Sequence, residues 1–373
     1  MDSGPGAGQI PKRGVIQMIF QNALFHNICE LVSDNICELV SVPAKEGLLL
    51  RRIPREVCAD SGPGVGGNAF RTAGCEIRFI IREGFAEVTL GLENSETNGE
   101  SRNVPGLCEI YHGNFQETHV RNPVLLTSEP ITIKISNPPQ MRLLEKIHQE
   151  QGLPFDPAVV RVILPYNKQT RFYNIQGDIA PPGSHQLPSR TLLTYGSSIT
   201  QGYTASLPTG TYAMQLARHL SADLLNRGVA GAAQMEPAMA KMIAGAPWDM
   251  ALLEMGINVF GTWDEETYSR RISEFIDIIV RAHPDRWVFC IDLYTHTGDF
   301  TCNPKTASFR NILQKKAESL QAEGYQKIRH IRGDSILDIS SGLTIDLVHP
   351  ANPGMERMAL NLADRILKLT SPV

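Results

Sequence analysis

"TLLTYGSSITQG" (residues 191–202) decides the fold of this 373-residue chain. Its first half is an apolar run of strand length, Gly196 permits a sharp turn, and "SSIT" reads as the entry to a helix. The same texture continues to the C-terminus. "ADLLNRG", "DMALLEMG", "RWVFCIDLY" and "KIRHIRG" read as further strands, separated by helical patterns around 210–220, 233–244, 264–283, 305–323 and 355–368. That alternation predicts an α/β domain, a parallel five-stranded sheet covered on both faces by helices. In such sheets the C-terminal strand ends share one edge, where ligands and catalytic groups collect. Residues 196–198 fall on that edge. A serine there has two readings. It caps the helix, or its hydroxyl sits beside backbone N–H groups that can hold a developing negative charge.

Upstream the texture changes. Between about 45 and 180, short β-rich runs ("GLLLRRI", "CEIRFII", "AEVTLGLE", "LCEIYHG", "PITIKIS", "VVRVILP", "TRFYNI") are separated by turn clusters, with one helical stretch, "MRLLEKIHQEQ". Alternation such as "ITIKIS" suits antiparallel strands with one face on a core, so this half reads as a β-sandwich. "GDIAPPGSHQLPSR" carries three prolines and two glycines and reads as a linker. The expected organisation is a sandwich domain over 1–185, with a flexible N-terminus, and an α/β domain over 186–373. "NICELVS" occurs at 27–33 and again at 35–41, too short for a repeat architecture and read as a strand-length insertion. "DSGPGAG" and "DSGPGVG" read as turn composition, and the basic "RRIPREV" at 51–57 as a solvated edge.

Composition narrows the function. The chain is 42% hydrophobic and 20% charged, as soluble globular proteins are, and its net charge of −4 offers no basic field to a polyanion. Nucleic acid is excluded as a partner on that ground. No uninterrupted apolar stretch approaches the ~20 residues of a membrane span, and the interrupted N-terminal apolar patch does not read as a signal peptide. Seven scattered cysteines without a C-x-x-C pair suggest neither a disulfide framework nor a zinc site, so reduced thiols in a cytoplasmic protein are expected.

Four blocks carry the chemistry: "YGSSITQG", "NRGVAGA" after the second strand, "EMGINV" after the third, and "DLVHP" before the last helix. Together they resemble the signature blocks of the SGNH, or GDSL-type, serine hydrolase superfamily, over roughly residues 190–370. The resemblance implies a flavodoxin-like three-layer domain with Ser198 as nucleophile, because Ser198 keeps the Ser-Ile-Thr-x-Gly register that Ser197 does not. It implies an oxyanion hole from the N–H groups of Ser198 and Gly231 and the side-chain amide of Asn258, and a triad completed by Asp346 and His349. The types suit the task. A serine hydroxyl needs a base, a carboxylate three residues before that base can fix its tautomer, and glycine lets a backbone donor approach closely. Ser197 and Val259 stand where the family often has aspartate.

With its sandwich half, the chain is also similar to a two-domain GDSL group that includes an acyltransferase of tetracycline biosynthesis, and to two-domain carbohydrate acetylesterases. The function expected is hydrolysis of small acyl esters, acetyl or other short-chain, through an acyl-enzyme, with no metal and no cofactor. The substrate would be a small-molecule ester, with an acylated sugar or natural product as candidates. An acyltransferase using the same acyl-enzyme is the alternative. A carbohydrate-binding protein would need only the sandwich, and a thioesterase or lipase is a further alternative, for which the sequence offers no obvious apolar lid. Tyr203, Tyr294 and His296 are candidate substrate-binding residues, each with a packing role as the other reading. Trp248 reads as core, and His112, in the sandwich, as a residue facing the domain junction or, the simpler reading, on a surface loop. Oligomeric state leaves no mark in the sequence.

Overall fold

The computed structural model describes residues 18–33, 47–93 and 104–371. Cys37 and the whole second "NICELVS" copy lie outside these residues, whereas residues 18–26, the described part of the N-terminal apolar patch, carry the first two strands, and the first copy contains strand Glu30–Val32.

The N-terminal half runs β1 (Met18–Phe20), β2 (Ala23–His26), β3 (Glu30–Val32), β4 (Leu48–Arg51), α1 (Arg55–Ser61), α2 (Pro63–Asn68) and β5 (Glu76–Leu92). It continues through β6 (Gly106–His112), β7 (Phe115–Gln116), β8 (Val124–Leu126), β9 (Ile131–Ser136), α3 (Met141–Gln151), β10 (Val159–Ile163) and β11 (Thr170–Ala180). All strand pairs here are antiparallel.

"CEIRFII" and "AEVTLGLE" are one strand, β5, not two. Gly84, at φ +68°, sits where its halves part company: residues before it pair with β2 and β10, residues after it with β9, and β11 runs along both. Phe25, Phe79, Val88, Val162 and Phe172 from these pairings share one core. Strand β11 likewise runs on through "GDIA", so regular structure gives way only at Pro181.

Buried charge marks where the two halves meet: Glu76 and Arg78 of β5 and Arg161 of β10 are buried, and Arg78 reaches Asp223 in the second half. The structure overturns two sequence readings. "RRIPREV" is no solvated edge. Arg52 has no exposed surface and donates to the carbonyls of Asn68, Arg71, Asn226 and Gly228, while residues 55–61 and the "DSGPGVG" that follows form α1 and α2. His112 is buried in β6, not on a surface loop, with Glu117 3.8 Å away. A one-dimensional pattern places charge at the surface; a second domain laid over that surface does not show in it.

The C-terminal half alternates β12 (Arg190–Gly196), α4 (Ser198–Gln201), α5 (Tyr212–His219), β13 (Ala222–Gly228), α6 (Pro237–Gly245), β14 (Met250–Glu254) and α7 (Glu265–Ala282). Then come β15 (Trp287–Ile291), α8 (Thr297–Phe300), α9 (Pro304–Ala322), β16 (Ile328–Ile331) and α10 (Asn352–Thr370). The five strands described here pair in parallel in the order β13-β12-β14-β15-β16. Alternate residues point to opposite faces, and both faces are covered. Leu193, Leu253 and Cys290 pack with α6, α7 and α9, while Leu192, Leu252 and Phe289 pack with α5 and α10. Trp248 is core as read. Ile53, Val57, Val65 and Ala69, around α1 and α2, belong to the first of these clusters. The strand order reverses at β12, the place where an open α/β sheet leaves a crevice.

Candidate active site

At that crevice β12 ends in a turn that only glycine fits: a Cβ on Gly196 would lie 2.2 Å from Glu254 Oε2 and 2.4 Å from Thr200 Oγ1. The two serines that follow divide the two readings of the sequence between them. Ser197 is the N-cap of α4, its Oγ accepting from the Ile199 N–H at 3.1 Å. Ser198 is the first residue of that helix, and its Oγ lies 2.8 Å from His349 Nε2.

His349 Nδ1 lies 2.6 Å from Asp346 Oδ2. The other oxygen, Oδ1, accepts from the N–H of Val348 and of His349, both at 2.9 Å, and from Thr344 Oγ1 at 2.8 Å. Partial burial pushes the Asp346 carboxyl up, but the bonds from the His349 backbone and ring, Val348 and Thr344 more than reverse this and hold it well below the usual carboxylate range. Asp346 is therefore an anion that orients the imidazole. Tyr203, two residues past the end of α4, lays its ring against that imidazole with centroids 4.8 Å apart.

Ser198, Tyr203, Gly231, Asn258, His296 and His349 all line one cavity of about 550 Å³, within the usual range for small-molecule sites. Its remaining walls include Ile257, Phe260 and Val348, and no Asp, Glu, Lys or Arg side chain lines it. Gly231 has φ +69° with open space where a Cβ would stand, so glycine is needed for the backbone conformation and not for room. Among the described residues the N–H groups of Ser198 and Gly231 donate to no protein acceptor. Asn258 Oδ1 accepts from the Ala233 N–H at 3.0 Å, which leaves the Nδ2 protons for the cavity. Gly256, at φ +128°, carries the chain round from β14 to the short turn Ile257–Val259 that holds Asn258.

His296 is buried in the wall, its Nδ1 accepting from the Gly298 N–H at 3.2 Å and its ring 4.9 Å from that of Phe260. Burial lowers its pKa, so it stays neutral. Tyr294 is not brought to the cavity. It packs beside Tyr212 in the core on the α5 and α10 side, because the chain leaving β15 turns it under the sheet edge before His296 emerges.

One functional group escaped the sequence reading. Glu254 ends β14, is buried, and accepts from the Ser197 N–H at 2.6 Å and from Thr200 Oγ1 at 3.1 Å, so it underpins the turn that presents Ser198. Burial raises its pKa against those hydrogen bonds. The available signal was a lone carboxylate closing an otherwise apolar buried strand, "MALLE". Among the described residues no group of three or more His, Cys, Asp or Glu side chains is set to hold a metal, and no helix is long and apolar enough to cross a membrane.

Residues 189–368 match the model of the GDSL-like Lipase/Acylhydrolase family. None of the curated proteins matches the chain. Among solved structures it is similar to the salicylyl-acyltransferase SsfX3 from a tetracycline biosynthetic pathway, with 18% identity, 95% of this chain and 96% of that one covered, and a TM-score of 0.75. It is also similar to a family two carbohydrate esterase from Cellvibrio japonicus (12% identity, 94% and 96% covered, TM-score 0.58). A third is an active-site mutant of a family two carbohydrate esterase from Clostridium thermocellum (15% identity, 79% and 90% covered, TM-score 0.56). The two-domain fold is shared with these proteins, and residues 189–368 are similar to the GDSL-like lipase/acylhydrolase family.

Proposed function

We propose that the chain is a serine esterase for small, uncharged acyl esters, with 186–373 as the catalytic domain and 1–185 as the sandwich domain that backs it. Its support is the unbroken relay from Asp346 through His349 to Ser198, at 2.6 and 2.8 Å, opening on a cavity that Gly231 and Asn258 also line. His349 Nε2 takes the Ser198 proton as Oγ attacks the ester carbonyl. The tetrahedral oxyanion is held by the N–H groups of Ser198 and Gly231 and by Asn258 Nδ2. His349 then returns the proton to the leaving alkoxide, and water, activated in the same way, releases the acid.

Transfer of the acyl group to an alcohol is the second reading. A wall with no charged side chain favours exclusion of water, and the fold shared with a salicylyl-acyltransferase makes this the alternative to test. The decisive experiment is hydrolysis of p-nitrophenyl acetate by Ser198→Ala and Ser197→Ala, then of an ester panel with and without alcohol or sugar acceptors. Ser198→Ala should abolish turnover while Ser197→Ala keeps much of it. The reverse result would shift the block by one residue and remove the oxyanion assignments with it. Acylated acceptor in excess of free acid would make the chain a transferase.

A further inference from the structure

We infer that Asn68, from the sandwich half of the chain, is the residue that aims the Gly231 N–H into the oxyanion hole. The inference rests on the serine-esterase reading above and adds a positioning residue from outside the α/β domain.

Asn68 ends α2, is buried, and makes a reciprocal pair with one residue: its Nδ2 donates to the Ala230 carbonyl at 3.0 Å, and its Oδ1 accepts from the Ala230 N–H at 3.2 Å. The Ala230 carbonyl and the Gly231 N–H belong to the same planar trans peptide, so they point in opposite directions. Whatever fixes the carbonyl outward, toward α2, fixes the N–H inward, toward the cavity that both residues line. An amide whose carbonyl accepts a hydrogen bond is also polarised into a better donor. Gly231, at φ +69°, has open space where a Cβ would stand, so no side chain at 231 helps to hold that peptide.

The clamp is itself rigid. Asn68 Nδ2 also donates to Gly64 O at 2.9 Å, and a Cβ on Gly64 would lie 2.9 Å from the Ala232 Cβ, so α2 is pressed directly against the 230–232 turn. Arg52 ties the same pieces together, donating to Asn68 O at 3.3 Å and to Gly228 O at 2.5 Å. Gln201 Oε1 shares the Ala230 N–H at 3.0 Å, but among the described residues only Asn68 holds the carbonyl.

The test uses the full chain. Wild type and Ser198→Ala are compared first on p-nitrophenyl acetate, which decides the esterase reading by itself. With that passed, Asn68→Ala should lower kcat/KM roughly 10–100-fold, since full loss of one oxyanion donor costs about 10²–10³ in kcat. The fall should lie in kcat with KM within about twofold. Affinity for phenylboronic acid, which forms a tetrahedral adduct on a serine oxygen, should fall by the same factor as kcat/KM. Asn68→Asp keeps the acceptor for the Ala230 N–H and loses the donor when ionised. Its kcat/KM relative to wild type should therefore rise as pH falls from about 8 to 5, as the introduced carboxyl gains a proton to donate. A folded Asn68→Ala with kcat/KM and boronate affinity within twofold of wild type overturns the inference. If that variant does not fold, an Asn68→Asp to wild-type ratio that is flat with pH overturns it instead.

Discussion

Replacing Arg78 with Met tests whether the two halves are held together by buried charge. Arg78 has no exposed surface and reaches across the junction to Asp223 through two bonds, 2.7 and 2.6 Å, while its Nε donates to Glu76 at 2.8 Å. Glu76 is also held by Arg161, at 2.8 and 2.6 Å. In Arg78→Met the volume is roughly kept, Glu76 retains Arg161, and Asp223 loses its guanidinium and keeps His26 at 3.3 Å and the Leu224 N–H at 3.0 Å. At a charge separation of ~4 Å and an effective dielectric of ~20, the lost attraction is on the order of 4 kcal/mol. That agrees with the ~3–5 kcal/mol found when one member of a buried pair is removed. The assay is urea unfolding at pH 7, followed both by tryptophan fluorescence and by far-ultraviolet circular dichroism. The three tryptophans, Trp248, Trp263 and Trp287, all lie in the C-terminal half, so fluorescence reports that half while dichroism reports both. The variant should lose ~3–5 kcal/mol and the two transitions should separate. Arg78→Met with Asp223→Leu should recover much of the loss. The pH dependence has a definite sign. Burial pushes Glu76 and Asp223 up, but Arg161 and Arg78 on the first, and Arg78 and His26 on the second, hold both below their ordinary values. Folding therefore favours the ionised forms, and their contribution is complete above the unfolded carboxylate pKa of ~4 and fades as pH drops further. A loss under ~1 kcal/mol at pH 7, with coincident transitions, would refute the reasoning.

Two further outcomes are expected. Asn258→Ala should lower kcat about 10²–10³-fold with little change in Tm, since the side chain's one visible internal bond is to the Ala233 N–H; an unchanged kcat would remove it from the oxyanion hole. Residues 186–373 expressed alone should be poorly soluble or melt well below the full chain, because the surface that Ile53, Val57, Val65 and Ala69 cover would face water. A soluble fragment with the full chain's kcat/KM on short and long acyl esters and acetylated sugars would show that the sandwich takes no part in the site.

The site residues legible in the sequence are those whose identity the backbone or the chemistry dictates. Gly196 stands where any side chain would strike Glu254, and Gly256 and Gly231 have positive φ. Asp346 and His349 stand three apart on one turn, so their hydrogen bond needs no knowledge of the rest of the fold. Ser198 against Ser197 was a matter of register, and in the structure the two hydroxyls have different partners, His349 Nε2 for Ser198 and the Ile199 N–H for Ser197. Tyr294 shows the limit of this reading. Its place after β15 puts it near the active edge in sequence, yet one turn of chain decides whether a ring points into the cavity or beneath it, and no local pattern records that choice.

What stayed hidden has one physical origin. Arg52, Glu76, Arg78 and Arg161 are charged, and charged residues are seldom fully buried unless paired, so each reads as surface until its partner is placed. The partners lie across the junction: Asp223 for Arg78, and the carbonyls of Asn226 and Gly228 for Arg52. Helices α1 and α2 come from the sandwich half in sequence but pack into the core of the other half through Ile53, Val57, Val65 and Ala69. A division of the chain near residue 185 follows the linker, whereas the hydrophobic core and the hydrogen bonds to the 228–231 turn do not. The segment that contributes Asn68 to the turn beside Ser198 is thus separated from it by about 160 residues of sequence. On the proposal that the Gly231 N–H is an oxyanion donor, this long-range arrangement makes its geometry depend on the folding of both halves, so mutations in α2 should be read in kinetics as well as in stability.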